Sequence, residues 1–213
     1  DWSSDVCSSD LHGLTSLFGV PCACETHPIN EGPWLRYDYI RRLYSSTLLD
    51  FVVMIDDDLS LLRKDGLVTA WQNRVARGMA CWYGKIFAPT DDYWTAKYRT
   101  NDMRGAMNRR CPHITRWDYC GARLAVIDAT FFATFDNLAR QTPKEYRFVE
   151  DLASSWMLTQ MGWAKRRLFV DVEDMNYNNT RSSDKNGLWF KKFMRAKKSN
   201  FFGLLKRRGW RFQ

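Results

Sequence analysis

The chain has 213 residues, of which 45% are hydrophobic, and a formal net charge of +8 at pH 7. This length is enough for one domain with a sizeable core. No run of about eighteen apolar residues occurs, which excludes a membrane-spanning helix in this sequence. The charge is uneven, because from Lys185 to the end the chain carries ten Lys or Arg and no Asp or Glu, whereas the preceding part is nearly neutral.

Residues 1–11 require separate treatment. They resemble, residue for residue, the translation of a common short-read sequencing adapter joined in frame to a gene. We therefore treat the chain as a metagenomic fragment, set this segment aside, and expect the natural N-terminus to lie in sequence upstream of it. The expected organisation is a single domain over 12–213 that ends in a basic aromatic tail over 185–213.

The cysteines bear on the compartment. Outside the adapter-like segment, five cysteines are scattered along the chain. An odd, scattered set favours reduced thiols in a cytoplasmic protein over a disulfide framework. An alternative is a zinc site in which Cys22, Cys24 and His27 join Cys111 and His113, although the spacing is not that of a usual zinc ribbon or finger.

The first half of the chain alternates between helical and strand patterns. Pro33 precedes apolar residues at helical spacing, which predicts a helix from about Trp34. The apolar run Phe51–Ile55 is rich in β-branched residues and predicts a buried parallel strand. A helix over 67–76 and a β-rich run over 79–87 follow. This alternation indicates an α/β protein.

Three consecutive aspartates, Asp56, Asp57 and Asp58, follow the predicted strand. In open α/β sheets, ligands bind at the carboxyl ends of the strands. Three adjacent carboxylates repel one another unless a cation or solvent offsets their charge. Mg²⁺ or Mn²⁺ would take one or two of them and complete its shell with water and phosphate oxygens. The alternative is a solvated acidic turn.

The middle of the chain is less regular. Residues 89–118 are polar and aromatic without clear periodicity, which predicts a long excursion that faces the substrate. A strand over 121–127, a short helix over 131–138 and a loop over 140–146 follow. No internal repeat or low-complexity linker interrupts this order.

Glu150 and Asp151 open the clearest helical pattern of the chain. Apolar residues recur at helical spacing after them, and Gly162 lies where a helix commonly ends. Acids in a first helical turn are stabilised by the helix dipole, so capping alone would explain them. A strand over 167–170 is predicted next. Together with the aspartate triplet, this arrangement favours a chemical role for the two acids.

These features together resemble nucleotide-sugar-dependent glycosyltransferases of the GT-A fold, in particular the family 2-like and exostosin-like groups. The resemblance lies in the strand that ends in Asp-Asp-Asp, a later glycine-containing strand, and the Glu-Asp helix start followed by Gly162-Trp163. It covers roughly 30–210. It implies a Rossmann-like α/β fold with a mixed, mainly parallel sheet flanked by helices. It also implies transfer of a hexose from a nucleotide-diphosphate donor to a saccharide or lipid-linked acceptor, as in polysaccharide biosynthesis.

The resemblance assigns a metal site and a donor site. Asp56 and Asp58 match the outer acids of the D-x-D motif and would hold Mn²⁺ or Mg²⁺. Asp56 would also face the donor, and Asp57 between them belongs to the same donor site. Asn30 and Arg36 match the segment that lies near the donor nucleotide in such enzymes. The family's usual histidine ligand has no match, because the three histidines of this chain all precede the Glu-Asp helix.

The acids of the helix are assigned to the chemistry. Asp151 falls where inverting members carry the catalytic base and where retaining members keep an acid beside the reacting carbon, with Glu150 next to it. The choice between the two outcomes stays open. Lys185, or alternatively Lys191 or Lys192, would stabilise the leaving nucleoside diphosphate if the segment 176–189 folds over the donor as a lid.

Two alternatives compete with this interpretation. Asp56-x-Asp58-x-Ser60 approximates the nucleophile motif of haloacid-dehalogenase-like phosphatases, with Asp91-Asp92 as the further acids that such enzymes need.

The second alternative is a non-catalytic module that binds a membrane surface through the basic aromatic tail. We expect the region around Phe193 to pack on the sheet, and the segment 201–212 to contact a membrane at its cytoplasmic face. Nucleic acid is the less favoured partner.

Overall fold

The computed structural model describes residues 16–17, 20–21, 33–56, 59–63, 65–96, 98–99, 114–174 and 192–212. The chain forms two compact units, Asp1–Gly32 and Pro33–Gln213. In the first unit, the described residues form an antiparallel pair of short strands, β1 (Ser16–Leu17) and β2 (Val20–Pro21). The remaining elements all belong to the second unit.

The second unit is a mixed α/β structure. Its described part contains five α-helices, and two 3-10 helices, Ala129–Thr134 and Lys144–Val149, lead directly into the third and fourth of them. The α-helices are α1 (Trp34–Ser46), α2 (Gly66–Gln72), α3 (Phe135–Gln141), α4 (Glu150–Gln160) and α5 (Lys192–Arg207).

A four-stranded sheet forms the centre of this unit. Its strands are β3 (Phe51–Ile55), β5 (Gly78–Cys81), β9 (Leu124–Asp128) and β10 (Ala164–Arg167), in the spatial order β10-β5-β9-β3. β10 is parallel to β5, whereas β9 is antiparallel to both of its neighbours. The predicted α/β class with a mixed sheet is confirmed. The expected mainly parallel pairing is wrong for the described strands, because β9 is inserted between two strands that share one direction.

This topology decides which residues meet. β3, β5 and β10 run in one direction, so their carboxyl ends lie at the same edge of the sheet, together with the first residue of β9. In open α/β sheets that edge is where ligands bind. The residues that follow β3 and β5 therefore face a common region.

Two smaller sheets extend from this edge. β4 (Leu59–Leu61) pairs with β11 (Val172–Asp174) in antiparallel orientation. β6 (Gly84–Ile86) lies between β7 (Tyr98–Arg99) and β8 (Tyr119–Cys120), again antiparallel to both. Because only Trp82 and Tyr83 separate β5 from β6, the three-stranded sheet begins where β5 leaves the central sheet.

Both faces of the central sheet are covered. Successive residues of a strand point to opposite faces, and all five residues of β9 are buried. Met79 and Ile127 pack into the larger core cluster, to which α1, α4 and α5 contribute. Ala80 and Val126 pack on the other side with Ala70 of α2. The sheet is thus the middle layer of three.

Several predicted elements differ from the structure at their bounds. The helix from Trp34, the strand Phe51–Ile55 and the helix from Glu150 are confirmed. The helix predicted over 67–76 ends at Gln72, and the run 79–87 is two strands rather than one.

Two predictions after residue 120 are also corrected. The strand predicted over 121–127 begins three residues later, after a turn. The segment predicted as a loop over 140–146 already enters the 3-10 helix that leads to α4.

The strand predicted over 167–170 lies earlier, as β10. Its sequence, Ala-Lys-Arg-Arg, is mostly charged. The strand was therefore predicted on the apolar residues that follow it. Lys165 is buried nevertheless, and its ammonium donates to Oγ1 of Thr159 at 2.6 Å. Arg167 is buried with its guanidinium over the rings of Trp117 and Phe169. Long cationic side chains can thus occupy the interior when such partners are present.

The C-terminal helix corrects the expectation for 201–212, whereas the region around Phe193 packs into the core through Met194, as expected, but not through Phe193 itself. Phe193 is 52% exposed, whereas Phe201 and Phe202 are 0% and 1% exposed and belong to the main core. Trp210 is buried with them. Most of the apolar side chains expected to contact a membrane over 201–212 therefore pack inside the protein, and Leu204 and Phe212 are half-buried. Among the described residues, no helix is long and apolar enough to cross a membrane.

Candidate functional site

Asp56 lies at the carboxyl edge of the central sheet. Its backbone N–H donates to the carbonyl of Arg123 at 2.7 Å, which extends the pairing of β3 with β9 by one residue. The position predicted for this carboxylate, at the end of a strand, is therefore confirmed. The strand itself was expected to be buried and parallel, and this is wrong, because β3 is a partly buried edge strand whose pairing with β9 is antiparallel. Asp57 and Asp58 lie outside the described residues.

Arg36 joins this strand end to the start of α4. Its Nη1 donates to Oδ1 of Asp56 at 2.8 Å, and its Nη2 donates to Oε1 of Glu150 at 2.6 Å. Trp34 and Tyr37 are buried on the core side of α1, and Arg36 between them lies at the flank of that face. Arg36 and Glu150 are 114 positions apart in the sequence. The fold thus brings together two acidic motifs that the sequence keeps far apart.

Glu150 is the most deeply buried acid of the site, with 4% of its surface exposed. Burial raises its pKa to about 7; the positive charge of Arg36 opposes this shift, and the negative charge of Asp151 adds to it. Burial disfavours the charged form of a carboxyl group. A carboxyl group with a pKa near neutrality can act as either acid or base under ordinary conditions.

Asp151 is held by two donors. Its Oδ2 accepts a hydrogen bond from the hydroxyl of Tyr119, and its Oδ1 accepts one from the backbone N–H of Leu152 at 2.9 Å. The second bond satisfies one of the unpaired amides of the first helical turn, so the capping interpretation is correct for part of its environment. The first bond joins Asp151 to a different element, β8, which capping does not require.

Aromatic rings stand beside the acids. Tyr83 and Tyr93 both pack edge-on against Tyr119, with centroid distances of 6.0 Å and 5.6 Å. Burial raises the pKa of Tyr119 well above its ordinary value, and the negative charge of Asp151 adds to this shift. Its hydroxyl therefore stays protonated at neutral pH and can only donate to the carboxylate. Trp82 and Trp117 are buried in the core as well.

The role of Tyr119 was not predicted from the sequence. It occupies a two-residue strand inside a stretch without clear periodicity, so no local pattern separates it from other aromatic residues. Arg36 was predicted on the family resemblance alone, and its contact with Glu150 was not expected.

The metal implied by the resemblance was compared with the donors present. Asp56 has one oxygen on a guanidinium, which already offsets part of its charge. Within the described residues, no group of three or more His, Cys, Asp or Glu side chains could hold an ion. The described residues therefore do not form a metal site by themselves. Asp58, the predicted ligand, lies outside them.

Other predicted site residues also lie outside the described residues, namely Asn30 and Lys185, as do the members of the alternative zinc site. The chain was compared with protein-family models, curated proteins and solved structures, and none matched.

Proposed function

We propose that the protein is a glycosyltransferase that moves a sugar from a nucleotide-diphosphate donor to a saccharide or lipid-linked acceptor. The observation that most supports this proposal is the link made by Arg36 between Asp56, at the end of β3, and Glu150, at the start of α4. The family resemblance requires an acid at the end of a strand and a pair of acids at the start of a helix, close together at the carboxyl edge of the sheet.

The proposed chemistry uses Asp151 as the base. The acceptor hydroxyl attacks the anomeric carbon, so a new carbon–oxygen bond forms while the bond between that carbon and the donor phosphate breaks. The proton of the hydroxyl passes to the carboxylate of Asp151, and the electron pair of the broken bond leaves with the nucleoside diphosphate. Arg36 would place positive charge beside the leaving phosphate. In a retaining enzyme the acid would instead lie beside the reacting carbon.

A requirement for Mn²⁺ or Mg²⁺ is part of the proposal, with Asp58 and Asp56 as its ligands. Such an ion would stabilise negative charge on the leaving diphosphate. This part rests on the sequence, since the described residues do not form a metal site by themselves.

The alternatives receive less support. Asp91 and Asp92, the further acids of the phosphatase interpretation, accept hydrogen bonds from Ala88, Trp94 and Thr95 backbone N–H groups and so stabilise a local turn. The membrane-module interpretation loses most of the apolar side chains of 201–212, because four of the six are buried. Neither alternative uses the contact between Arg36 and Glu150.

The proposal is tested by measuring release of nucleoside diphosphate from a panel of UDP-, GDP- and dTDP-sugars, with Mn²⁺ and with a chelator. We expect release from at least one donor, and its loss on chelation. Asp151→Asn should lower the turnover of that donor about 100-fold or more while its affinity changes little. Asp58→Asn should abolish the response to metal.

Asp136→Asn is the matched control, because its carboxylate is 69% exposed on the surface of α3. It should leave turnover unchanged. Turnover at the wild-type rate in Asp151→Asn would return this residue to the role of a helix cap. Metal-independent release in the wild type would remove only the metal from the proposal.

A further inference from the structure

We propose that Tyr119 is a positioning residue that holds the carboxylate of Asp151 in a single orientation for its role as the base. This inference deepens the proposed function and rests on it. The hydroxyl of Tyr119 and the backbone N–H of Leu152 donate to different oxygens of the carboxylate. Because these donors belong to β8 and α4, the carboxylate cannot rotate without breaking a bond to one of them.

Tyr119 is itself held rigidly. It is fully buried, and the rings of Tyr83 and Tyr93 contact it edge-on at interplanar angles of 88° and 89°. One residue further along β8, the N–H of Cys120 donates to Oγ of Ser155 at 2.9 Å, and this hydroxyl donates back to the Cys120 carbonyl at 3.1 Å. Since Ser155 lies one turn after Asp151, β8 and α4 are joined at two successive points.

A chain of polar groups continues behind Tyr119, and its direction is set by its ends. Nζ of Lys198 lies 3.5 Å from the hydroxyl of Tyr93, which lies 3.4 Å from that of Tyr119. An ammonium can only donate and a carboxylate can only accept, so the donors run from Lys198 towards Asp151.

This direction separates positioning from proton transfer. A proton taken up by Asp151 could leave along the chain only if the far end accepted it, and an ammonium has no acceptor. The chain therefore orients the carboxylate and does not carry its proton away. Contacts of 3.4 Å and 3.5 Å are long for hydrogen bonds, so most of the effect should come from Tyr119.

The first arm of the test measures stability and does not depend on enzymatic activity. Melting temperatures are measured for Tyr119→Phe, Asp151→Ala and the double variant, in the full chain. Phe keeps the ring and removes only the hydroxyl. If the two side chains share a hydrogen bond, the melting temperature of the double variant should fall by clearly less than the sum of the decreases in the two single variants. Strictly additive losses would overturn the inference.

Tyr37→Phe combined with Asp151→Ala is the matched control. Tyr37 is also fully buried and also donates to α4, but to Oγ of Ser154 at 3.3 Å. We expect the decrease in melting temperature caused by Tyr37→Phe to add to the decrease caused by Asp151→Ala. Equal coupling for both tyrosines would show a general effect of removing buried hydroxyl groups, which would contradict a specific role for Tyr119.

The second arm measures nucleoside diphosphate release from the donor that the wild type uses. Tyr119→Phe should lower kcat about ten-fold or more, with the donor KM within about two-fold of wild type. Tyr93→Phe should have a smaller effect, and Tyr37→Phe should keep wild-type kcat. An unchanged kcat in Tyr119→Phe would overturn the positioning role even if the melting data show coupling.

The two arms separate failure of this inference from failure of the proposed function. A wild-type chain that uses no nucleotide sugar overturns the proposed function and, with it, the catalytic part of the role of Tyr119. The melting temperatures still decide whether Tyr119 holds Asp151.

Discussion

Among single residues, Arg36 connects most of the site. One guanidinium pairs with Asp56 and with the buried Glu150, whereas the neighbouring Asp151 is held by Tyr119. A buried ion pair adds little net stability compared with apolar packing, but removing one partner leaves an uncompensated charge. Arg36 should therefore matter for stability as well as for function.

At about pH 8, above the pKa of Glu150, Arg36→Met is expected to lower the free energy of unfolding by about 3 kcal/mol, because it leaves the Glu150 carboxylate without its cationic partner. Denaturant unfolding measures this loss. Arg41→Met on the same helix is the control. Within the described part of the chain, Arg41 pairs with Asp38 at 3.3 Å and with the exposed Asp136 at 3.8 Å, so this change should alter stability by about 0.5 kcal/mol or less. Similar losses of stability in both variants would show that the ion pairs of Arg36 contribute no more than those of an exposed arginine.

Glu150 predicts a specific dependence of stability on pH. Its pKa is about 7 in the folded protein, above the ordinary value of 4.5. The unfolded chain therefore loses this proton first as pH rises. The stability that the folded protein gains by holding this proton more tightly is fully present below about pH 4.5 and is lost as pH rises through about 7. A difference of this size corresponds to about 3 kcal/mol.

Urea unfolding at about pH 5 and about pH 8 checks this expectation. Wild type should lose stability over this range relative to Glu150→Gln, which has no proton to release. Glu145→Gln, at an exposed position of the preceding 3-10 helix, should follow wild type. Parallel curves for wild type and Glu150→Gln would mean that Glu150 is charged in the folded protein.

Among the elements, the turn after β8 sets how Tyr83 packs against Tyr119. Gly121 follows Cys120 directly, and its N–H donates to the carbonyl of Tyr83 at 2.8 Å. A Cβ atom at Gly121 would lie 2.4 Å from Cδ1 of Tyr83. Real side chains do not approach so closely, so only glycine permits the observed packing of Tyr83 against Tyr119.

Gly121→Ala should destabilise the protein by about 1–3 kcal/mol, because Tyr83 must move away from its neighbours. Gly203→Ala is the matched control. Gly203 lies inside α5, where the nearest atom to an added Cβ is Nη1 of Arg207 at 3.6 Å. That change should stabilise by about 0.5–1 kcal/mol, since alanine favours a helix interior. Thermal melts of the two variants measure whether each change lowers or raises the melting temperature. Stabilisation by Gly121→Ala would contradict the crowded packing at Tyr83.

Across the whole unit, α5 completes the core instead of forming a separate tail. The ring of Phe202 lies 4.5 Å from that of Phe87 and 5.5 Å from that of Phe212, measured between centroids. Phe87 follows β6, so the C-terminal segment packs against the chain where it leaves the three-stranded sheet. Membrane contact through the basic residues of the tail stays a prediction, and among the described residues the apolar side chain best placed to take part is the exposed Phe193.

Phe202→Ala should cost about 3–5 kcal/mol, because it removes a fully buried ring from the core. Phe193→Ala on the same helix should change stability by about 0.5 kcal/mol or less, because that ring is 52% exposed. Chemical unfolding of the two variants provides the comparison. A small loss in Phe202→Ala would show that the C-terminal helix is not part of the cooperative core.

Local patterns were enough to predict the elements with strong periodicity. The apolar run Phe51–Ile55 and the periodic helix from Glu150 were predicted at their observed starts, since each pattern depends on residues close in sequence. The α/β class followed from their alternation. The placement of Asp56 at a strand end also followed, because it is adjacent to that strand.

The tertiary structure alone decided what those elements bring together. The antiparallel insertion of β9, the polar strand β10, the pairing of Arg36 with Glu150 and the bond from Tyr119 to Asp151 leave no mark in local periodicity. Each depends on contacts between segments distant in sequence. A buried cation or hydroxyl is stable only beside its partner, and the identity of that partner is a property of the folded chain.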